Sequence, residues 1–387
     1  MTRAWWAVVG AAATIGASLA GLGFVIARKL TDPVSERRYD LTIRGVDNSG
    51  ERPIVILDRT PSTAAHGDYC LIVETGNWVQ LAPEVDDRGP HLIGREVVGE
   101  SREGLAAGQR ASWSGIYFET PADAGLHAID VVVPTDVGPA PAWLIAPGDK
   151  PSTTWAIHIH GLGSTRAGTL RGVQVASEAG LTSLVVTYRN DGEGPVVGTG
   201  RSELGAAEVA DLRAAVSYAC ESGARSVILF GWSMGAAIAL RLAADPTLKG
   251  TVAGLVLESP VLDWMSTIEA NCLRAGLPEW TCLLSLPWLC SRPLARAIGL
   301  TEPIDLRTFD WIMRADEVAV PTQIFHGNGD TSSPFETSGQ LRTLRPALVA
   351  VDEFDSDHTM TWNSDRDRWR GVLAANLAVF RLKIRGL

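Results

Sequence analysis

The chain has 387 residues, 46% of them apolar, enough to bury a large core around a sheet and too many for a disordered chain. Thirty-four lysines and arginines against 44 aspartates and glutamates leave a net charge of −10, the wrong sign for tracking a phosphate backbone, so nucleic acid is not an expected partner. Five cysteines (Cys70, Cys220, Cys272, Cys282, Cys290) form no Cys-x-x-Cys pair, and their spacing suits neither a zinc site nor a dense disulfide framework, so no metal is expected.

Residues 1–30 differ from the rest. Ala4 to Ala27 carries no charge and is about as long as a bilayer-spanning helix requires. Trp5 and Trp6 at one end and Arg28 and Lys29 at the other are placed as interfacial anchors. A transmembrane anchor is therefore expected, holding the protein to the lipid bilayer by a single pass. A cleaved signal peptide ending at Ser18-Leu19-Ala20 is the competing reading. A strict count of positive charges leaves the body in the cytoplasm, but Arg3 and the amino terminus precede the segment, so its orientation stays open. All the expected chemistry lies beyond Ile129, so removal of residues 1–30 is expected to leave an active protein.

Residues 31–125 show short β-type runs, such as Pro53 to Leu57 and Tyr69 to Val73, separated by Gly, Pro, Asp and Asn. They predict a small β-rich extension. Residues 126–387 read as a second, larger domain. Ile129 to Val133 and Ala142 to Ala146 predict a hairpin that leads into a buried strand at Trp155 to His160. From there helices (Leu170 to Ala179, Glu203 to Glu221, Met234 to Ala244) alternate with strands (Ser183 to Thr187, Ser226 to Phe230, Gly254 to Glu258). That alternation means an α/β fold with a mostly parallel sheet covered by helices on both faces. The strand rhythm stops over about 263–317, which predicts an inserted helical cap, and resumes at Pro321 to Phe325 and Ala347 to Val351 before a last helix from Asp365 to Leu382.

Gly231-Trp232-Ser233-Met234-Gly235 follows an apolar strand and precedes an Ala-rich helix. This is the Gly-x-Ser-x-Gly nucleophile elbow in its strand–turn–helix context, where both glycines allow a tight turn and the serine hydroxyl projects above the sheet edge. A serine hydroxyl is a weak nucleophile near neutral pH and needs a base, which in turn needs an orienting acid. Asp330 stands in the loop after one later strand and His358 after the next, giving the chain order Ser, Asp, His that this arrangement uses. Asp355 and Asp357 adjoin the histidine in sequence but are not expected to reach its far ring nitrogen. His160-Gly161-Leu162-Gly163 follows the strand containing His158, and the backbone amides of Leu162 and Met234 are the expected oxyanion hole. His160 is expected to order that loop and His158 to be a core residue. No Lys-Ser or Lys-Thr pair accompanies the loop, which argues against a phosphate cradle.

From about Ile129 to the carboxyl terminus, the segments HGLG, GWSMG, FHGNGD and DSDH resemble those of the α/β-hydrolase superfamily, in its esterase and prolyl-oligopeptidase-like branch. The resemblance implies the α/β-hydrolase fold and a serine hydrolase that cleaves an ester, thioester or amide of a small-molecule or acyl/peptide substrate through a covalent acyl-enzyme, with no cofactor. A carboxylesterase is favoured. A prolyl-oligopeptidase-type peptidase and a non-enzymatic binding protein on the same fold stand as alternatives. Tyr188-Arg189-Asn190-Asp191 stands where this branch often has an Arg-Gly loop, and Asn190 replaces the glycine. The cap stretch Leu277 to Cys290 carries many large apolar residues that must face the core, a substrate pocket or a membrane. Cys272, Cys282 and Cys290 can pair only if the domain lies outside the cytoplasm.

Overall fold

The computed structural model describes residues 2–99, 104–148 and 151–384; the side chains of residues 2–15 and 383–384 lie outside that description. Helix α1 (Thr2–Leu30) leads into a β-rich domain of antiparallel strands, among them Ile54–Asp58, Tyr69–Val73, Trp78–Leu81, Leu92–Val98 and Arg110–Ser114. Its core is aliphatic, built from residues such as Ile43, Leu57, Leu71 and Ile93. Arg95 is fully buried beside that core and donates to the carbonyls of Ala65, Gly67 and Ala82 at 2.6–2.7 Å. Burial lowers its guanidinium to about 10. A buried cation is costly unless fully hydrogen-bonded, and this one holds the 63–67 loop in place.

The second sheet has eight strands: β1 (Ile129–Thr135), β2 (Gly138–Ile145), β3 (Thr154–Ile159), β4 (Thr182–Val186), β5 (Ser226–Trp232), β6 (Val252–Glu258), β7 (Thr322–Gly327) and β8 (Val349–Phe354). Their order is β8-β7-β6-β5-β3-β4-β2-β1. The β1–β2 hairpin is antiparallel and pairs β4 antiparallel, while β3 to β8 run parallel. Helices α2 (Leu170–Glu178), α3 (Glu208–Glu221) and α4 (Met234–Ala243) connect the central strands. Apolar clusters lie on both faces of the sheet, as a parallel sheet requires. The α/β reading, the hairpin and the β-rich extension therefore hold.

Three expectations change. Helix α3 begins at Glu208 and not at Glu203, because residues 202–205 form a turn organised by the Glu208 carboxylate, which accepts from Ser202 Oγ at 2.7 Å, from Glu203 N at 2.9 Å and from Gly205 N at 3.0 Å. A helix at Phe335–Leu344, between β7 and β8, was not predicted; its apolar periodicity is weak.

The third change concerns the expected transmembrane span. The last turns of α1 are covered by protein: Ala27 is fully buried, Ile26 nearly so, and Leu22, Phe24 and Leu30 pack against the main core. Phe24 meets Trp288 edge-on at 5.1 Å, and Trp288 Nε1 donates to the Ala20 carbonyl at 3.1 Å. A Cβ at Gly23 would overlap the Leu284 carbonyl. Arg201 closes the helix end by donating to the Arg28 carbonyl at 2.7 Å. Residues 22–30 thus bury their apolar face against the cap and not against lipid, and among the described residues no helix is long and apolar enough to cross a membrane. The side chains at the start of the expected anchor lie outside the described residues.

The cap comprises helices at Trp264–Arg274, Leu286–Cys290 and Arg292–Ile298 with intervening short turns, and the same contacts account for part of its apolar stretch, whose Trp280 and Leu283 are exposed. Leu289 and Cys282 are core residues, whereas Leu286 and Trp288 lie partly buried against that core and α1. All five cysteines are free thiols.

Candidate active site

Strand β5 delivers Ser233 at the sheet edge with φ +54° and ψ −116°, a conformation that side-chain-bearing residues adopt only at a cost of about 1–3 kcal/mol. The strand and the helix behind it pay for this strain. A Cβ at Gly231 would lie 2.5 Å from Ala236 Cα, and one at Gly235 would overlap the Ile159 carbonyl, so both elbow positions admit glycine alone. Ser233 N donates to the Glu258 carbonyl at 2.9 Å, which ties the elbow to β6.

His358 lies in the loop after β8, and its Nε2 is 2.9 Å from Ser233 Oγ. Its Nδ1 is 2.8 Å from Asp330 Oδ2, at the end of β7. The three residues expected from sequence are thus brought together in one line of contacts. The Asp330 side chain is wholly buried. Burial opposes its charge, but hydrogen bonds from His326 and His358 outweigh that and hold the carboxyl well below the usual carboxylate range. Amides of Ser332 and Ser333 also donate to Oδ1, at 2.9 and 2.8 Å.

His326 is a partner that the sequence reading did not single out. Its Nε2 is 3.1 Å from Asp330 Oδ2 and 2.9 Å from the Ser333 carbonyl, and its Nδ1 faces Ser338 Oγ at 2.8 Å. Because a carbonyl can only accept, Nε2 carries the proton and Nδ1 accepts from the serine. The signal was its place on the buried strand four residues before Asp330.

Asp357 does not reach the far ring nitrogen; its Oδ1 accepts from the amides of Thr331 and His358, at 2.9 and 2.7 Å, and bridges the two loops. Arg189 is held in a paired contact with the buried Asp211 and cannot serve as a substrate clamp. His158 is a core residue, buried against Phe230 and bonded to Ser183 Oγ at 3.0 Å. His160 orders its loop: Nε2 meets Asp191 Oδ2 at 3.0 Å, and the ring stacks on Tyr188 with centroids 4.4 Å apart.

That loop approaches the elbow closely, since a Cβ at Gly161 would lie 3.1 Å from Ser233 Cβ. Leu162 follows Gly161 and lines a cavity of about 130 Å3 together with Ser233, His358, Trp232 and Met360; Met234 is buried directly behind the serine. No residue of the apolar cap stretch lines this cavity.

Two further groups stand below the site. Arg171, on α2, donates to the Thr359 carbonyl at 2.9 Å and to Asn363 Oδ1 at 2.8 Å, and lies 3.3 Å from Glu258 Oε1. Glu258 also accepts from Trp232 Nε1 at 2.9 Å. Burial pushes the Glu258 carboxyl up and the Arg171 guanidinium down, each offset by the other's charge. The pair therefore ties the strand before Ser233 to the loop after His358.

No curated protein matches the chain. Residues 42–114 match a domain of unknown function, DUF8805. Among solved structures, an esterase of Pyrococcus furiosus in two crystal forms is similar at 20% and 21% identity, with TM-scores of 0.52 and 0.51, covering 67% of this chain and 96% and 94% of that one. At that identity the likeness is one of fold. Residues 156–377 match the alpha/beta hydrolase family, and the chain belongs to that family.

Proposed function

We propose that the protein is a serine hydrolase that cleaves carboxylic esters through a covalent acyl-enzyme on Ser233. The observation that carries this reading is the unbroken chain of contacts from Ser233 Oγ to His358 Nε2, 2.9 Å, and from His358 Nδ1 to Asp330, 2.8 Å. Asp330 holds the imidazole with its proton on Nδ1, which leaves Nε2 free to accept the serine proton. Ser233 Oγ then bonds to the acyl carbon while the carbonyl π bond opens to an oxyanion, which the amides of Leu162 and Met234 receive. Collapse of that intermediate breaks the bond to the alcohol oxygen, and His358 Nε2 returns the proton to it. Water repeats the sequence on the acyl-enzyme, giving the carboxylic acid and free Ser233. The test is turnover of p-nitrophenyl esters by the wild type and by Ser233→Ala, with aminoacyl amides as the comparison. Preference for the amides would point to a peptidase, and no turnover of either to a binding protein.

A further inference from the structure

The cavity around Ser233 is not closed by the hydrolase domain alone. The segment Gly115-Ile116-Tyr117-Phe118, which leaves the last strand of the β-rich domain, forms one of its walls through Gly115 and Ile116. This strap is fastened on both sides. The Tyr117 carbonyl accepts from Trp78 Nε1 at 3.3 Å and from Gln80 Nε2 at 3.1 Å, both on one strand of the β-rich domain. The Tyr117 and Phe118 rings pack on Trp362 of the hydrolase domain at 5.4 and 6.0 Å. Asn363 Nδ2 donates to the Gly115 carbonyl at 2.9 Å, and a Cβ at Gly115 would collide with the Met360 sulfur. Between these fixed points Ile116 lies across α2's approach, its Cδ1 and Cγ1 each 3.6 Å from the position of a Cβ on Gly168.

On the ester-hydrolase reading above, the acyl group stays bonded to Ser233 Oγ after the alcohol has gone, so it must fit the cavity that Ser233 lines. That cavity measures about 130 Å3. An apolar cavity of about 150 Å3 takes a molecule the size of benzene, so this slightly smaller space matches a short acyl group. We infer that the β-rich domain is the specificity module of the enzyme: through the strap it places Ile116 as the wall that restricts the substrate to esters of short acyl groups, acetyl to butanoyl.

The alcohol half leaves with the proton from His358. Met360 lines both the small cavity and a neighbouring cleft of about 660 Å3 between the two domains.

The experiment is kcat/KM for p-nitrophenyl acetate, butanoate, hexanoate and octanoate with wild type, Ile116→Ala and Ile116→Phe, with the melting temperature of each variant as the control for folding. The wild type should fall by tenfold or more between butanoate and hexanoate. Ile116→Ala should raise the hexanoate-to-acetate ratio by about 10–200-fold, the range by which a hydrophobic pocket distinguishes added methylenes. Ile116→Phe should lower the butanoate-to-acetate ratio. Should Ile116→Ala fail to fold, Ile116→Val is expected to move the ratio in the same direction by a smaller factor. Turnover with a chain-length profile indifferent to residue 116, or a wild type that prefers octanoate, would overturn this inference alone. Absence of turnover with every ester would overturn the esterase reading and this inference with it.

Discussion

Asp330 and His358 meet through both carboxylate oxygens, Nδ1 lying 3.0 Å from Oδ1 and 2.8 Å from Oδ2, while Asp357, adjacent to the histidine in sequence, bonds to its backbone amide instead. The two carboxylates therefore differ in what their loss removes. Asp330→Asn presents an amide where Nδ1–H needs an acceptor and is expected to lower kcat by about 10⁴. Because its NH2 or oxygen must also replace an acceptor for His326 Nε2–H and the Ser332 and Ser333 amides, it is expected to lower the melting temperature too. Asp357→Asn keeps an oxygen able to accept from Thr331 and His358 and is expected to cost less than tenfold. Steady-state kinetics on the two variants checks this; equal losses would place the orienting acid elsewhere.

His158 gives the fold an acid-sensitive group. Burial on β3 pushes its imidazole down to about 3, against about 6.5 in an unfolded chain. Below about pH 6.5 the unfolded state takes up a proton that the native state refuses. The stability it contributes is therefore full above that pH and falls by about 1.4 kcal/mol per unit toward pH 3. Replacing it with a residue that does not titrate, His158→Gln, should flatten the pH dependence of urea unfolding between pH 6 and 4 by about that slope. An unchanged slope would mean that His158 is protonated in the native state.

Asn363 joins the two domains. Its Nδ2 donates to the carbonyls of Asp68 and Gly115, its own carbonyl accepts from Asp68 N at 2.9 Å, and its Oδ1 accepts from Arg171. Asn363→Ala leaves two buried carbonyls unpaired and withdraws a partner from a buried guanidinium, at a cost of about 2–4 kcal/mol. Chemical denaturation measures it. A loss below about 0.5 kcal/mol would mean that the interdomain contact is wet or dispensable.

What was legible in the sequence follows the reach of each interaction. Ser233 announces itself because the elbow is a local strand–turn–helix structure with a spaced glycine pair, although only Gly231 is required by atoms a few residues away, Gly235 being required by the Ile159 carbonyl. Asp330 and His358 announce themselves by position after successive strands. Asn363, Arg171 and Ile116 carry no such mark: Asn363 pairs with partners 192, 248 and 295 residues away, and only the folded chain brings them together. The apolar sequence of α1 reads alike whether lipid or protein covers it. The contacts of Phe24, Ile26 and Ala27 decide that its last turns are covered by the cap.

Those contacts revise the expected effect of truncation. Deleting residues 1–15 leaves each contact described for Ala20 to Leu30 in place. Deleting residues 1–30 strips the cover from Leu286 and Trp288 and removes the burial of Ile26, worth about 1.5–3 kcal/mol, and the partial burial of Phe24. The longer deletion should therefore lower the melting temperature by several degrees, a cost the sequence expectation of a still active protein did not include. Differential scanning calorimetry of the two truncations measures this cost; equal melting temperatures would mean that residues 16–30 contribute nothing to the fold.

The central claim is that Ser233 is an activated nucleophile, made so by His358 at 2.9 Å. The most direct measurement is intact-mass spectrometry after exposure to a fluorophosphonate probe. Wild-type protein should gain one probe mass, located on the peptide containing Ser233, while Ser233→Ala should gain none and His358→Ala should react at least about 100-fold more slowly. Stoichiometric labelling of Ser233→Ala, or a wild type that stays unlabelled while its melting temperature shows it folded, would contradict the account.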